Sequence, residues 1–140
     1  MIGIVLVGHG TIAPAALRNL ESVLGHPVPG MVAVGANVDD TLVSLRTRIA
    51  EAAASVEQGD GTIILTDMYG DTATNVSMTL ARESRIQVVT GANLPILVKV
   101  ISARHDMPLE ELAAFIVQYG RDHILRACPE PGERAPRMRK

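Results

Sequence analysis

The chain has no tryptophan, one phenylalanine and two tyrosines in 140 residues. So few rings leave almost nothing on which bases could stack, and a formal net charge of -2 gives no cationic field to attract nucleic acid. Nucleic-acid binding is discounted on both grounds. Cys128 is the only cysteine, which excludes an internal disulfide. Long apolar runs are also missing: none approaches the roughly 20 residues of a membrane span, so no membrane insertion is expected. The first apolar strand begins at Ile2 without a basic leader, so no signal peptide is expected, and a cytoplasmic location is the plain expectation.

The composition that is present is ordinary for a globular protein, with 47% hydrophobic and 20% charged residues. One domain is expected, because a chain of about 150 residues buries roughly 70% of its unfolded surface. The stretch Ile2-Gly3-Ile4-Val5-Leu6-Val7 is β-branched and unrelieved by polar residues, as in a central strand covered on both faces. It breaks at Gly8-His9-Gly10-Thr11, where glycines on either side of His9 permit a tight turn and close approach to the imidazole.

Helical spacing follows from Thr11 to Leu24 through Ile12, Ala16, Leu17, Leu20, Val23 and Leu24, with Pro14 tolerated in the first turn. Met31 to Val34 reads as a second strand. Asp39 or Asp40 is positioned to cap a helix running through Leu42, Val43, Leu45, Ile49, Ala52, Ala53 and Val56. Thr62 to Thr66 is a third strand that delivers Asp67 at its end, followed by helical character from Thr72 to Arg82 with Thr72 or Thr74 as cap. Ile86 to Thr90 is a more polar fourth strand. Pro95 suits the first residue of the next helix, and a last helix runs from near Pro108 to Gly120. Residues 123–126 read as either a further helical turn or an added edge strand. The segment from Pro129 to Lys140, rich in proline and cations, reads as a solvated tail.

Alternating strands and helices define an α/β domain with a single open, doubly wound, mostly parallel sheet, because parallel strands need right-handed crossovers. With the two most apolar strands in the middle, the order is 2-1-3-4. The winding then reverses between strands one and three, and that switch point is where His9 and Asp67 emerge. A neutral imidazole is a good nucleophile near neutral pH, and a carboxylate on one ring nitrogen fixes which nitrogen keeps the lone pair. Asp67 is the candidate partner, although capping of its own loop is a simpler role for it. A histidine at a strand end is also commonly structural. Gly10-Thr11 and Gly70-Asp71-Thr72 each precede a helix, whose unpaired N–H groups suit a phosphoryl group. Thr72 and Thr74 also read as ordinary caps, and Asn75 is a weaker candidate. His26, His105 and His123 read as surface residues.

Three motifs taken together resemble the mannose-family enzyme IIA component (EIIA type-4 domain) of the bacterial phosphoenolpyruvate-dependent sugar phosphotransferase system, or PTS. They are Val7-Gly8-His9-Gly10, Thr66 through Asn75, and Gly91-Ala92-Asn93-Leu94-Pro95-Ile96-Leu97. The resemblance spans residues 1 to about 127, leaving 128–140 as the Pro/Arg-rich tail. It implies a phosphotransferase component; no cofactor and no metal are expected. In it His9 accepts a phosphoryl group from the histidine phosphocarrier protein HPr and passes it to an EIIB component for sugar uptake. It implies further that Asp67 orients His9, and that Gly10, Thr11, Gly70, Asp71, Thr72 and Asn75 surround the phosphoryl group. A homodimer is also implied, with a C-terminal antiparallel edge strand exchanged between subunits in some members; residues around Ile124 would supply it.

The loop departs from the family pattern: Asp71 stands where a second glycine is usual, and Ala73 where proline is usual. A carboxylate beside a phosphohistidine repels it by about 1 kcal/mol at 4 Å in water. Asp71 is therefore expected to point away, bind a cation or weaken the phosphorylated state, and escape into solvent is the cheapest of these. Asp71→Gly is expected to lengthen the lifetime of phosphohistidine. Other readings compete. Gly8-His9-Gly10-Thr11-Ile12-Ala13 matches a dinucleotide-binding turn, yet Gly35-Ala36-Asn37 lacks the acidic residue expected after strand two. A receiver domain would need acidic ligands after strand one, and a metal chelatase a second histidine at a matching strand end. The alternatives that keep the phosphoryl chemistry are an isolated IIA domain serving as a regulatory phosphorylation sensor and a related relay domain for dihydroxyacetone phosphorylation.

Overall fold

A computed structural model describes residues 1–128, 131, 132 and 134. The rest of the proposed tail lies outside the described residues. The elements follow in the order β1 (Gly3–His9), α1 (Ile12–Leu24), β2 (Met31–Ala36), α2 (Leu42–Val56), β3 (Thr62–Thr66), α3 (Thr72–Ala81), β4 (Ile86–Thr90), α4 (Leu94–Ala103) and α5 (Leu109–Asp122). The four strands are parallel and ordered β2-β1-β3-β4, as the apolar content of β1 and β3 requires.

Alternation along each strand divides the core in two. Ile4, Leu6, Ile63 and Leu65 face a cluster built with Leu20 of α1, Leu97 and Val100 of α4, and Leu112 and Ile116 of α5. Val5, Val7, Val34 and Ile64 face the opposite cluster, built with Leu45 and Ile49 of α2 and Val76 and Leu80 of α3. This division follows from handedness. The β1-to-β2 crossover runs one way along the sheet and the next two run the other way, so right-handed connections place α1 on one face and α2 and α3 on the other.

Several local expectations need correction. Thr41, not Asp39 or Asp40, caps α2: its hydroxyl accepts the Ser44 N–H at 3.0 Å, while Ser44 Oγ accepts the Thr41 N–H at 2.8 Å. Asp40 instead accepts the Asn37 N–H at 2.8 Å and pairs with Arg48. Asn93 caps α4, leaving Leu94 as its first residue and Pro95 one position later. Ile12, Leu42 and Val43 are exposed rather than on an apolar face, because the first turns of α1 and α2 lie at the rim where the strands end. Val23, in the last turn of α1, is exposed as well. Residues 124–126 form neither a helical turn nor a strand; His123 closes α5, and Ile124 and Leu125 lie exposed beyond it.

The sequence reading also missed Arg104. Its side chain is buried and donates from Nη2 to the Pro29 carbonyl at 2.7 Å and from Nη1 to the Ile2 carbonyl at 3.4 Å, tying the end of α4 to the starts of β1 and β2.

Candidate functional site

Adjacent parallel strands bring His9 and Asp67 together. Val7 of β1 pairs with Thr66 of β3, so Asp67 follows one residue on and His9 two, and both leave the same edge of the sheet at its switch point. Asp67 Oδ2 accepts the backbone N–H of His9 at 2.9 Å and lies 2.7 Å from His9 Nδ1. Asp67 Oδ1 accepts the Met68 N–H at 2.9 Å. Three contacts thus hold the carboxylate in place, its side chain only 15% exposed, while the His9 side chain is 54% exposed. A carboxylate accepts hydrogen bonds and donates none, so Nδ1 carries the proton and Nε2 keeps the lone pair.

The electrostatics agree with this geometry. The hydrogen bond and charge of Asp67 raise the His9 pKa above its ordinary value of 6.5; slight desolvation opposes the rise and Asp71 adds to it. Burial pushes the Asp67 carboxyl upward, but the His9 backbone N–H, the His9 ring and the Met68 N–H outweigh it and hold Asp67 below the usual carboxylate value.

Asp71 does not escape into solvent. Its Oδ1 accepts the Thr74 N–H at 2.7 Å and caps α3, correcting the assignment of that role to Thr72 or Thr74. Its side chain is 7% exposed, and its Oδ2 lies 3.6 Å from His9 Nδ1. Thr74 has a different part, which the sequence reading missed. Its buried hydroxyl lies 2.8 Å from both the Thr66 hydroxyl and the Met68 carbonyl, fastening the loop after β3 to the strand and to α3. The signal available for it was a hydroxyl residue inside a helix's first turn, which reads equally as a cap.

His9, Gly10, Asp71 and Thr72 line one open cleft of about 410 Å³. Thr11, Gly70 and Asn75 lie outside that lining: Thr11 precedes α1, Gly70 adopts a left-handed conformation in the loop, and Asn75 is exposed in the first turn of α3. Gly10 also adopts a left-handed conformation, with its N–H donated to the Ala36 carbonyl at 2.8 Å. The partner of that turn is Gly35, another residue the sequence reading missed, where a Cβ would collide with the Gly10 carbonyl oxygen. Of the amides at the start of α3, that of Thr74 is taken by the cap, leaving those of Thr72 and Ala73 free of intrahelical acceptors.

Fold and site together define a class: a small doubly wound α/β domain that presents a carboxylate-oriented imidazole at its surface. The family described as "PTS system fructose IIA component" matches residues 3–117. The fructose-specific EIIA component of Bacillus subtilis is 26% identical over 113 residues, covering 80% of this chain and 77% of that protein. The mannose-specific EIIAB component of Escherichia coli K12 is 28% identical over 144 aligned positions; the match takes in 96% of this chain but 42% of that protein, so this chain spans less than half of it. Among solved structures, the phosphotransferase component EIIA of Streptococcus agalactiae superposes with a TM-score of 0.81 at 25% identity, covering 90% of this chain and 97% of that one. The mannose/sorbose-specific IIA subunit of Enterococcus faecalis shares the fold, with a TM-score of 0.80 at 23% identity and coverage of 92% and 97%. The chain belongs to this IIA family of the PTS, and membership supports a phosphoryl-carrier role in the sugar phosphotransferase system.

Proposed function

We propose that His9 is the phosphoryl acceptor, that the donor is phosphorylated HPr, and that an EIIB component receives the group during sugar uptake. The observation that carries this reading is the 2.7 Å contact between Asp67 and Nδ1 of an exposed ring, which leaves the Nε2 lone pair facing outward. In the transfer, Nε2 forms a bond to phosphorus as the donor's P–N bond breaks. Nδ1 keeps its proton on Asp67, and the carboxylate stabilises the positive charge that develops on the ring. No proton has to leave. Transfer to EIIB reverses the step.

The free amides at the start of α1 and α3 are suited to the phosphoryl oxygens, with Gly10, Thr11 and Gly70 in the turns before these helices and Thr72 and Asn75 in the first turn of α3. Exposed Ile12, Val38, Met68, Tyr69 and Leu94 rise from the same end of the sheet and favour a protein partner over a small substrate. Residues 1–127 form the carrier domain in this reading. A homodimer is part of it too: β4 has a strand neighbour on one side only among the described residues, and exposed Ile124 and Leu125 are available for an exchanged strand. The nucleotide-binding alternative loses ground because β2 ends at Ala36 with no acidic side chain at its tip, and Asp40, four residues on, is already engaged by Asn37, Ser44 and Arg48.

The test is intact mass after incubation with phosphoenolpyruvate, enzyme I and HPr, beside His9→Ala. One acid-labile phosphoryl adduct that requires His9 is expected. Its absence, with the donors active on another IIA protein, would overturn the assignment.

A further inference from the structure

Asp71 presents an unanswered question. One of its oxygens is fixed by the Thr74 N–H, while Oδ2 is buried, aimed at His9 and without a hydrogen-bond partner among the described residues. A buried carboxylate oxygen without a partner is costly and points to a missing group. Protonation of His9 does not supply it: the Nδ1 proton is already donated to Asp67, and Asp71 Oδ2 stands 3.6 Å away, beyond a hydrogen bond.

We infer that His9 Nδ1, Asp67 Oδ2 and Asp71 Oδ2 form a binding site for a divalent transition-metal ion of the zinc type. These ligand atoms all lie within 4.8 Å of one another. Zinc–ligand bonds of about 2.0–2.2 Å separate neighbouring tetrahedral ligands by about 3.3–3.6 Å, and the distances of 2.7 and 3.6 Å from Nδ1 need only small adjustment to meet this. One imidazole nitrogen with two carboxylate oxygens selects zinc-like ions over magnesium, which prefers an all-oxygen, largely hydrated shell. Two carboxylates outweigh the opposing positive end of α3, and the open cleft beside His9 leaves room for a water in the fourth position.

The site has a consequence for the proposed phosphoryl transfer, on which this part alone rests. A metal ion on Nδ1 displaces the proton from that nitrogen and leaves the ring proton on Nε2, which then has no lone pair to attack phosphorus. Metal binding and phosphorylation become mutually exclusive, and by linkage each weakens the other.

The experiment uses the full, untagged chain and needs no phosphoryl donor. Zinc is titrated calorimetrically, and cobalt(II) by its visible absorption, into wild type, His9→Ala and Asp71→Asn. Asparagine also caps helices, so the second variant keeps the fold, which a urea melt checks. One ion per chain is expected, with binding lost in His9→Ala and at least tenfold weaker in Asp71→Asn. No binding by wild type, or equal affinity in wild type and either variant, overturns the site. In a separate arm with phosphorylated HPr, saturating zinc is expected to block adduct formation in wild type. Failure of that arm alone, with binding intact, would refute the coupling and leave the metal site standing.

Discussion

At His9 the decisive feature is which nitrogen holds the proton, and Asp67 settles it from 58 residues away in sequence. Asp67→Asn keeps the shape and removes the charge. The ring titration, followed by NMR, is expected to fall back toward 6.5. Phosphoryl acceptance is expected to slow about 10- to 100-fold, the equivalent of a charged hydrogen bond worth roughly 1.5–3 kcal/mol. In wild type, acceptance is expected to fall on acidification through the raised His9 pKa, because the imidazolium has no lone pair. Stability runs the other way for this group. His9 binds its proton more tightly when folded, so its contribution is complete below about pH 6.5 and is lost as pH rises through the raised value. Asp67, held low, contributes above its unfolded value of 3.8 and loses that contribution as pH falls through its lowered one. A urea-stability profile of wild type against Asp67→Asn measures both limbs.

At the level of elements, the loop from Asp67 to α3 is held by hydroxyl contacts more than by apolar packing. Thr74→Val preserves volume but leaves the Thr66 hydroxyl and the Met68 carbonyl without their partner. A loss of about 1–3 kcal/mol in urea unfolding is expected, with slower phosphoryl acceptance because Asp67 and Asp71 flank the loosened segment. Asp71→Gly, anticipated from sequence to prolong phosphohistidine, also removes the side-chain cap of α3, at a cost of roughly a few tenths of a kcal/mol since glycine is itself tolerated at that position. Asp71→Asn separates the two effects, since it keeps the cap and removes the charge. The element boundaries near the site were the harder part to read from sequence. Thr41, Asp71 and Asn93 all proved to be caps; Thr41 and Asp71 stand beside other residues capable of the same role, and Asn93 is followed by Pro95, which itself suits a first helical position.

Across the whole molecule, two apolar clusters sandwich one sheet, and the strand ends they fix carry the site. Leu112 is fully buried in the cluster formed with α1, α4 and α5. Leu112→Ala is expected to cost about 2–5 kcal/mol, seen as a lower urea midpoint at unchanged slope. No helix among the described residues is long and apolar enough to cross a membrane.

The sequence by itself determined the α/β class, the strand order and the emergence of His9 and Asp67 at one edge of the sheet. All three follow from local apolar periodicity and the handedness of crossovers, which each stretch of chain carries within itself. Tertiary structure alone decided that Asp71 turns inward to His9, that Gly35 makes room for the Gly10 carbonyl, that Thr74 reaches back to Thr66, and that Arg104 is buried across the starts of two strands. These are contacts of single side chains or backbone atoms with other elements. A carboxylate that caps its own helix and one that also faces a distant histidine share the same local sequence, and only the packed chain tells them apart.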